Sequence, residues 1–320
     1  MPNLETVVSI SLNVLFLLLG FFLLAKGADF FVDGAGGVAK RFKIPQIVIG
    51  LTIVAMGTSM PEAAVSIKAA ISGNADISIG NVVGSNILNI LLILGVSSVI
   101  FPLVIKKFTQ RIDIPIVMGA SLILLVLGFF GKIFFWGGII MLLFFGGYLA
   151  YLFVTSKNNM DGEEAKIKSL PVWKSIIFVI IGIIMIILGS EFAVETATNL
   201  AKMAGWSDAF IGLTVVALGT SLPELFTSVT AAIKKNSDIA IGNVVGSNIF
   251  NILFILGVTS LIIPINFAPS FLIDTLISLG CAALLLVLSL FGGKLRRWGG
   301  AIMLASYAVY FVYLYVSQIA

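Results

Sequence analysis

Residues 57–62 read GTSMPE, and residues 219–224 read GTSLPE. Each phrase ends in a glutamate, Glu62 or Glu224, and each interrupts an apolar run long enough to cross a bilayer. A carboxylate at membrane depth costs roughly 2.5–3.5 kcal/mol on insertion scales, so it is kept only where it has work to do. Two of them, in matching positions, point to one shared cation site. The surrounding composition fits that setting. The 320 residues are 59% hydrophobic and 11% charged, against about 25% charged in a soluble domain. A water-soluble globule with a single anchor is excluded.

Working outward from the two phrases, apolar segments fall at 7–39, 45–72, 75–101, 113–130, 133–155, 172–203, 208–233, 237–263, 271–291 and 298–317. Backbone in hydrocarbon must satisfy its own hydrogen bonds, so these are helices. The expected fold is an all-α polytopic membrane protein with ten transmembrane helices. Several segments exceed the ~20 residues needed to span, which implies tilt or breaks. The first segment has no basic n-region or small-residue cleavage site and is expected to be a retained span rather than a signal peptide. The lone Cys281 lies in an apolar run and forms no intrachain disulfide.

The two halves are copies. Glu62 and Glu224, Ser85 and Ser247, Asn89 and Asn251, Pro102 and Pro264, and Trp136 and Trp298 all differ by 162. Residues 49–100 and 211–262 share 36 identities in 52 positions without a gap. Five helices per copy is an odd number, so the second copy enters the membrane from the opposite side. The expected organisation is a first five-helix repeat at 1–155, a short cytoplasmic linker at 156–171, and an inverted second repeat at 172–320. Lysine and arginine positions set the orientation. With the N-terminus outside, 15 of the 19 basic residues lie in inner loops, three (Lys68, Lys132, Lys202) lie outside, and Lys26 is in the first segment. Both termini are thus expected outside. Inverted repeats with interrupted helices and a midplane site characterise many secondary transporters.

Proline predicts the interruptions. Pro61 lacks an N–H and clashes with the carbonyl four residues back, so helix 2 should break around 55–60, and Pro223 should break helix 7 likewise. Carbonyls of Ala55 to Thr58 and of Ala217 to Thr220 are expected to lose intrahelical partners and become cation ligands. Ser59 and Glu62, and Ser221 and Glu224, share a face at a spacing of three. A second phrase, GNVVGSNILN at 80–89, returns as GNVVGSNIFN at 242–251. It places Ser85 with Asn89, and Ser247 with Asn251, on one face each. Gly80, Gly84, Gly242 and Gly246 let these helices approach the broken ones closely. Asn81, Asn86, Asn243 and Asn248 are read as packing residues that bond freed backbone. Asp29, Asp33, Glu191 and Glu195 form a further set at the same offset. They are read as interfacial residues solvated in a vestibule.

Carboxylate, hydroxyl, amide and carbonyl oxygens suit hard cations, and no His or Cys is near. Flexible ligands favour Ca²⁺ over Mg²⁺. With both glutamates ionised, one Ca²⁺ or two Na⁺ neutralise the site. Binding is therefore competitive, which is the basis of antiport.

The doubled GTS-x-PE and GNVVGSNI-x-N motifs resemble the α-repeats of the cation/calcium exchanger superfamily, specifically prokaryotic sodium/calcium exchangers. The resemblance covers essentially the whole chain. It implies a site between helices 2, 3, 7 and 8, with sodium moving in and calcium out. It further implies that Glu62 and Glu224 bridge calcium and sodium sites, that Ser59, Ser85, Ser221 and Ser247 bind sodium, and that Ala55, Thr58, Ala217 and Thr220 contribute carbonyls. The resemblance also implies that Asn89 and Asn251 line the centre and that helices 1 and 6 slide to switch access. Some relatives carry an acid at the place of Asn251. The proton/calcium branch carries a glutamate where this chain has Gly84 or Gly246.

The function expected is secondary active exchange of Ca²⁺ for Na⁺ by alternating access. Proton-driven exchange of Ca²⁺ or another divalent ion is the alternative, followed by a passive channel. An enzyme is not expected, since GxSxG, GxGD and HExxH are absent and the motif serines have no histidine base. No cofactor is expected. The expected partners are the lipid bilayer of a prokaryotic cell membrane and the transported ions Ca²⁺ and Na⁺, with no nucleic acid, and a monomeric chain is expected.

Overall fold

The computed structural model describes residues 4–73, 75–156, 170–205 and 217–319. The order of helices is α1 (Leu4–Phe42), α2 (Gln46–Thr58), α3 (Met60–Ile71), α4 (Ile77–Ile100), α5 (Thr109–Gly128), α6 (Phe135–Ser156), α7 (Val172–Met203), α8 (Ala217–Thr220), α9 (Leu222–Ile233), α10 (Ser237–Ile262), α11 (Pro269–Leu290) and α12 (Arg297–Ile319). Among the described residues seven helices are long and apolar enough to cross a membrane, or eight if the bent pair α2–α3 is one span. The expected segment at 208–233 is described only from Ala217, and most of the 156–171 linker lies outside the described residues.

Four two-residue strands, β1 (Leu103–Val104), β2 (Lys132–Ile133), β3 (Ile265–Asn266) and β4 (Lys294–Leu295), qualify the all-helical expectation. Proline explains two of them. Pro102 and Pro264 push the preceding residue into extended backbone, and Phe101 (φ −141°, ψ 122°) and Ile263 (φ −151°, ψ 141°) end α4 and α10 in that conformation. β1 pairs antiparallel with β4, and β2 with β3. Adding 162 to β1 gives β3, and subtracting 162 from β4 gives β2, so the two pairings are one contact with the halves exchanged.

Burial sorts the helices. The most apolar stretch of α10 is 94% buried and that of α4 72%, against 11% for α1 and 28% for α7. α4 and α10 form the centre. The long helices lie outside, and Leu15, Leu18, Phe22, Ile180 and Ile184 on them are exposed. So large an apolar surface is costly in water and matches lipid. α1 and α7 run antiparallel along a seam of small residues spaced by seven, with Gly20, Gly27 and Gly34 facing Gly189, Gly182 and Ser175. A methyl on Gly27 would stand 2.9 Å from Ile186 N, and one on Gly34 2.7 Å from Ser175 O. The two backbones therefore touch, which only small residues permit.

The turns ending α3 and α9 share one conformation. Gly73 has φ +81° and its counterpart Lys235 φ +59°. A side chain in that region costs roughly 1–2 kcal/mol, yet the second copy carries lysine there. The neighbouring Lys234 Nζ reaches α1, 2.6 Å from Asp29 Oδ1 and 2.5 Å from Asp33 Oδ1. Asp29 and Asp33 are thus tied to a lysine rather than simply solvated. Asp113, expected to open a span, instead lies a turn inside α5. It is fully buried and accepts from Tyr148 Oη of α6 at 3.2 Å.

Candidate ion-binding site

The site begins at the break between α2 and α3. α2 carries a π-helical turn, Gly50–Val54, followed by one α-turn, Ala55–Thr58. Ser59 leaves the helix (φ −84°, ψ 10°), the axis bends by 48°, and Pro61 sits in the first turn of α3. Ser221 (φ −92°, ψ 6°) makes the same departure before α9. The break falls later than the expectation for Ala55, whose carbonyl still accepts Ser59 N–H at 3.0 Å. The proline removes the partner of the carbonyl four residues back, Gly57 or Gly219, and not that of Ala55. At Gly219 the Ser190 hydroxyl of α7 donates to that carbonyl at 2.9 Å.

Glycines bring α10 onto the broken helix. A methyl on Gly242 would meet Gly50 Cα at 2.9 Å, and one on Gly246 would meet Leu51 O at 2.6 Å. The segment of the second copy that corresponds to residues 47–54 lies outside the described residues.

Both glutamates are fully buried. The shortest hydrogen bond to each crosses between the halves. Ser59 Oγ donates to Glu224 Oε1 at 2.7 Å and lies 2.9 Å from Ser247 Oγ. Ser221 Oγ lies 3.2 Å from Glu62 Oε1 and 3.3 Å from Ser85 Oγ. Ser247 Oγ is also 3.4 Å from Ala55 O and from Glu224 Oε1. Ser59, Ser85, Ser221, Ser247, Glu62, Glu224 and the Ala55 carbonyl thus come together. Thr58 Oγ1 donates to Asn243 Oδ1 at 3.0 Å, at the edge of the cluster. Thr220 ends α8, and Ala217 begins it.

Asparagines support the glutamate backbone. Asn81 Nδ2 donates to Glu62 O at 3.2 Å and to Ser66 Oγ at 3.0 Å. Asn243 Nδ2 donates to Glu224 O at 3.3 Å and to Ser228 Oγ at 2.9 Å. Deeper in, Asn89 opens the π-helical turn Asn89–Ile93, and Asn251 lies in its counterpart Phe250–Ile255. Glu62 Oε2, Glu224 Oε2, Asn89 Oδ1 and Asn251 Oδ1 are buried and have no hydrogen-bond partner among the described residues. An unsatisfied buried acceptor costs ~1–3 kcal/mol, more when charged. Carboxylate and amide oxygens of this kind, two from each half, are the donor chemistry that suits a hard cation.

The family model for the sodium/calcium exchanger protein matches residues 12–154 and again 174–316. The chain belongs to the sodium/calcium exchanger protein family. The second match is displaced from the first by 162 residues at both ends, the offset read from the sequence. Sodium/calcium exchanger MaX1 of Methanosarcina acetivorans is 33% identical over 350 residues, covering 96% of this chain and 99% of that protein. Membrane protein MJ0091 of Methanocaldococcus jannaschii is 38% identical over 301 residues, covering 93% and 96%. A structure of the sodium-calcium exchanger NCX_Mj, soaked with zero Na⁺ and Ca²⁺, superposes with TM-score 0.83 at 36% identity, covering 95% of this chain and 99% of that one. Membership makes the chain an integral, multi-pass membrane protein of a transporter family.

Proposed function

We propose that the chain exchanges Ca²⁺ for Na⁺ across the membrane at one site held by both halves. Glu62 and Glu224 supply its charge, Ser59, Ser85, Ser221 and Ser247 its hydroxyls, Asn89 and Asn251 its amide oxygens, and Ala55, Thr58, Ala217 and Thr220 its carbonyls. The observation that carries this reading is the set of four unpartnered buried oxygens, two from each half, on Glu62, Asn89, Glu224 and Asn251.

Charge then explains coupling. One Ca²⁺ or two Na⁺ balance two carboxylates. An added unit of positive charge 4 Å from a bound cation costs about 4 kcal/mol at an effective dielectric of 20. Joint full occupancy is therefore disfavoured, and the ions replace one another.

The architecture that serves this exchange is ten spans in two inverted five-helix repeats, residues 1–155 and 172–320, with broken helices 2 and 7, a cytoplasmic linker at 156–171 and both termini outside. Several contacts support the orientation. β1 meets β4, Lys106 meets Asp238 at 2.6 Å, and Lys234 meets Asp33, which gathers the lysine-rich loops at one end. β2 meets β3 at the loops of the other. The long pair α1–α7, joined along its own glycine seam and peripheral to the rest, is the element that switches access. One chain suffices for the site, and no cofactor or enzymatic step takes part.

The test is Ca²⁺ uptake into vesicles reconstituted with the purified chain. An outward Na⁺ gradient is expected to drive uptake, and withdrawal of internal Na⁺ to stop it. Uptake driven by a proton gradient alone would replace sodium by protons. Uptake without any counter-ion would make the protein a channel and overturn the reading.

A further inference from the structure

Asn86 and Asn248, 162 residues apart, meet where α4 and α10 cross. Asn86 Nδ2 donates to the main-chain oxygen of Asn248 at 3.1 Å, and Asn248 Nδ2 donates to that of Asn86 at 3.2 Å. Main-chain oxygens only accept, so these bonds fix which end of each amide is nitrogen. The oxygen ends are then committed to the other side. There Asn248 Oδ1 accepts from Asn89 Nδ2 at 3.1 Å, and Asn86 Oδ1 accepts from Asn251 Nδ2 at 3.1 Å. The second pair of amides is thereby fixed too. Their nitrogens face the first pair, and their oxygens are the two unpartnered atoms Asn89 Oδ1 and Asn251 Oδ1.

We infer that Asn86 and Asn248 are positioning residues that lock the Asn89 and Asn251 amides with oxygen, not nitrogen, toward the transported cation. The inference rests on the site proposed above. Asn89 stands one turn along α4 from Ser85, which lies 3.3 Å from the Ser221 hydroxyl that faces Glu62. A half-turn of either amide would present N–H donors to a cation and set oxygen against oxygen at 3.1 Å on the other side. Unlocked amides would sample both orientations, and the site would lose ligands for part of the time. The relay also crosses between halves: Asn248 of the second copy orients Asn89 of the first, and Asn86 orients Asn251. A change in how α4 and α10 cross would therefore alter the ligands themselves.

The experiment measures Ca²⁺ binding to the purified full chain by titration calorimetry in four variants. Asn89→Ala tests the site. It is expected to weaken binding, and unchanged binding would reject Asn89 as a ligand and the site reading with it. Asn248→Ala tests the lock, and loss of an orienting partner behind a ligand typically costs about 10–100-fold in metal affinity. The decisive comparison uses Asn89→Asp, whose carboxylate presents oxygen in either orientation. In that background Asn248→Ala is expected to cost little or nothing. An equal loss in both backgrounds would mean that Asn248 only packs, and would overturn the inference. Should Asn248→Ala fail to fold, Asn86→Ala with Asn251→Asp repeats the comparison at the other end. A high-resolution crystal structure of the unaltered chain with Ca²⁺ bound gives an independent check. Asn89 Nδ2 must remain on Asn248 Oδ1; a broken bond there would also overturn the inference.

Discussion

Ser59 Oγ lies 2.7 Å from Glu224 Oε1, although Ser59 and Glu62 belong to one phrase and Ser59 and Glu224 stand in different halves. The reciprocal contact, Ser221 to Glu62, is 3.2 Å. Each glutamate thus accepts a hydrogen bond from the serine at the other copy's break. Glu62→Gln and Glu224→Gln are each expected to abolish Ca²⁺ uptake in vesicles while the chain elutes as a folded, monodisperse species. Uptake at the unaltered rate by either variant would remove that glutamate from the transport path.

The crossed pairing makes a sharper demand on energies. Hydrogen bonds to charged groups are worth about 1.5–3 kcal/mol. Double-mutant cycles on unfolding free energy should couple Ser59→Ala with Glu224→Gln on the order of 0.5–3 kcal/mol. Ser59→Ala with Glu62→Gln should be close to additive. Coupling confined to Ser59 and Glu62 would mean that the phrases act within their own halves.

Proline at the start of α3 tests how the break is made. Pro is well tolerated in the first turn of a helix, so Pro61 suits a helix that begins at Met60. Pro61→Ala returns an N–H that Gly57 O can accept and favours a continuous helix through Ser59. Ca²⁺ affinity is expected to fall, because straightening the 48° bend withdraws Ser59 from Glu224. An unchanged calorimetric affinity would show that packing against α10, not proline, holds the break.

Much of this arrangement is legible in the sequence alone. A carboxylate within an apolar run, repeated at a fixed offset, marked Glu62 and Glu224. Proline marked both breaks, and Pro102 and Pro264 hold the residues before them, Phe101 and Ile263, in extended backbone. What was illegible depends on contacts between distant residues. Spacing paired Ser59 with Glu62, whereas the folded chain bonds it to Glu224. The π-helical turns at Asn89–Ile93 and Phe250–Ile255 shift the helical phase without a sequence signal, so the aim of Asn89 and Asn251 could not be read from a period of 3.6. Asn86 and Asn248 looked like packing residues. Only their reciprocal bonds reveal that they hold two amides in place.

The seam between α1 and α7 gives a prediction about packing rather than ligands. A methyl on Gly182 would stand 2.7 Å from Phe31 N and 2.8 Å from Gly27 O, both main chain. Backbone gives way only by helix separation, and overpacking of this kind costs typically ~1–3 kcal/mol. Gly182→Leu is expected to lower the thermal midpoint and slow exchange while leaving equilibrium Ca²⁺ affinity nearly intact, since neither α1 nor α7 supplies one of the proposed ligands. Lost affinity with an unaltered rate would contradict the assignment of α1–α7 to access switching.

Asn251→Asp alters charge and hydrogen bonding together, and the two have opposite consequences. Asn251 Nδ2 now donates to Asn86 Oδ1 at 3.1 Å. A carboxylate has no donor to offer, so two acceptors would face each other there, and three acids would share the site. The cation-free protein should lose on the order of 1–3 kcal/mol of stability, the cost of an unpaired buried polar group. Bound cations should restore more than they do in the unaltered chain, because each now neutralises a larger negative charge. The measurements are thermal midpoints with and without Ca²⁺, Na⁺ and K⁺, and Ca²⁺ uptake against each monovalent gradient. A wider gap between free and bound midpoints, with a changed response to Na⁺ or K⁺, is the expected result. The same midpoints and the same monovalent response as the unaltered chain would place Asn251 outside the ion site.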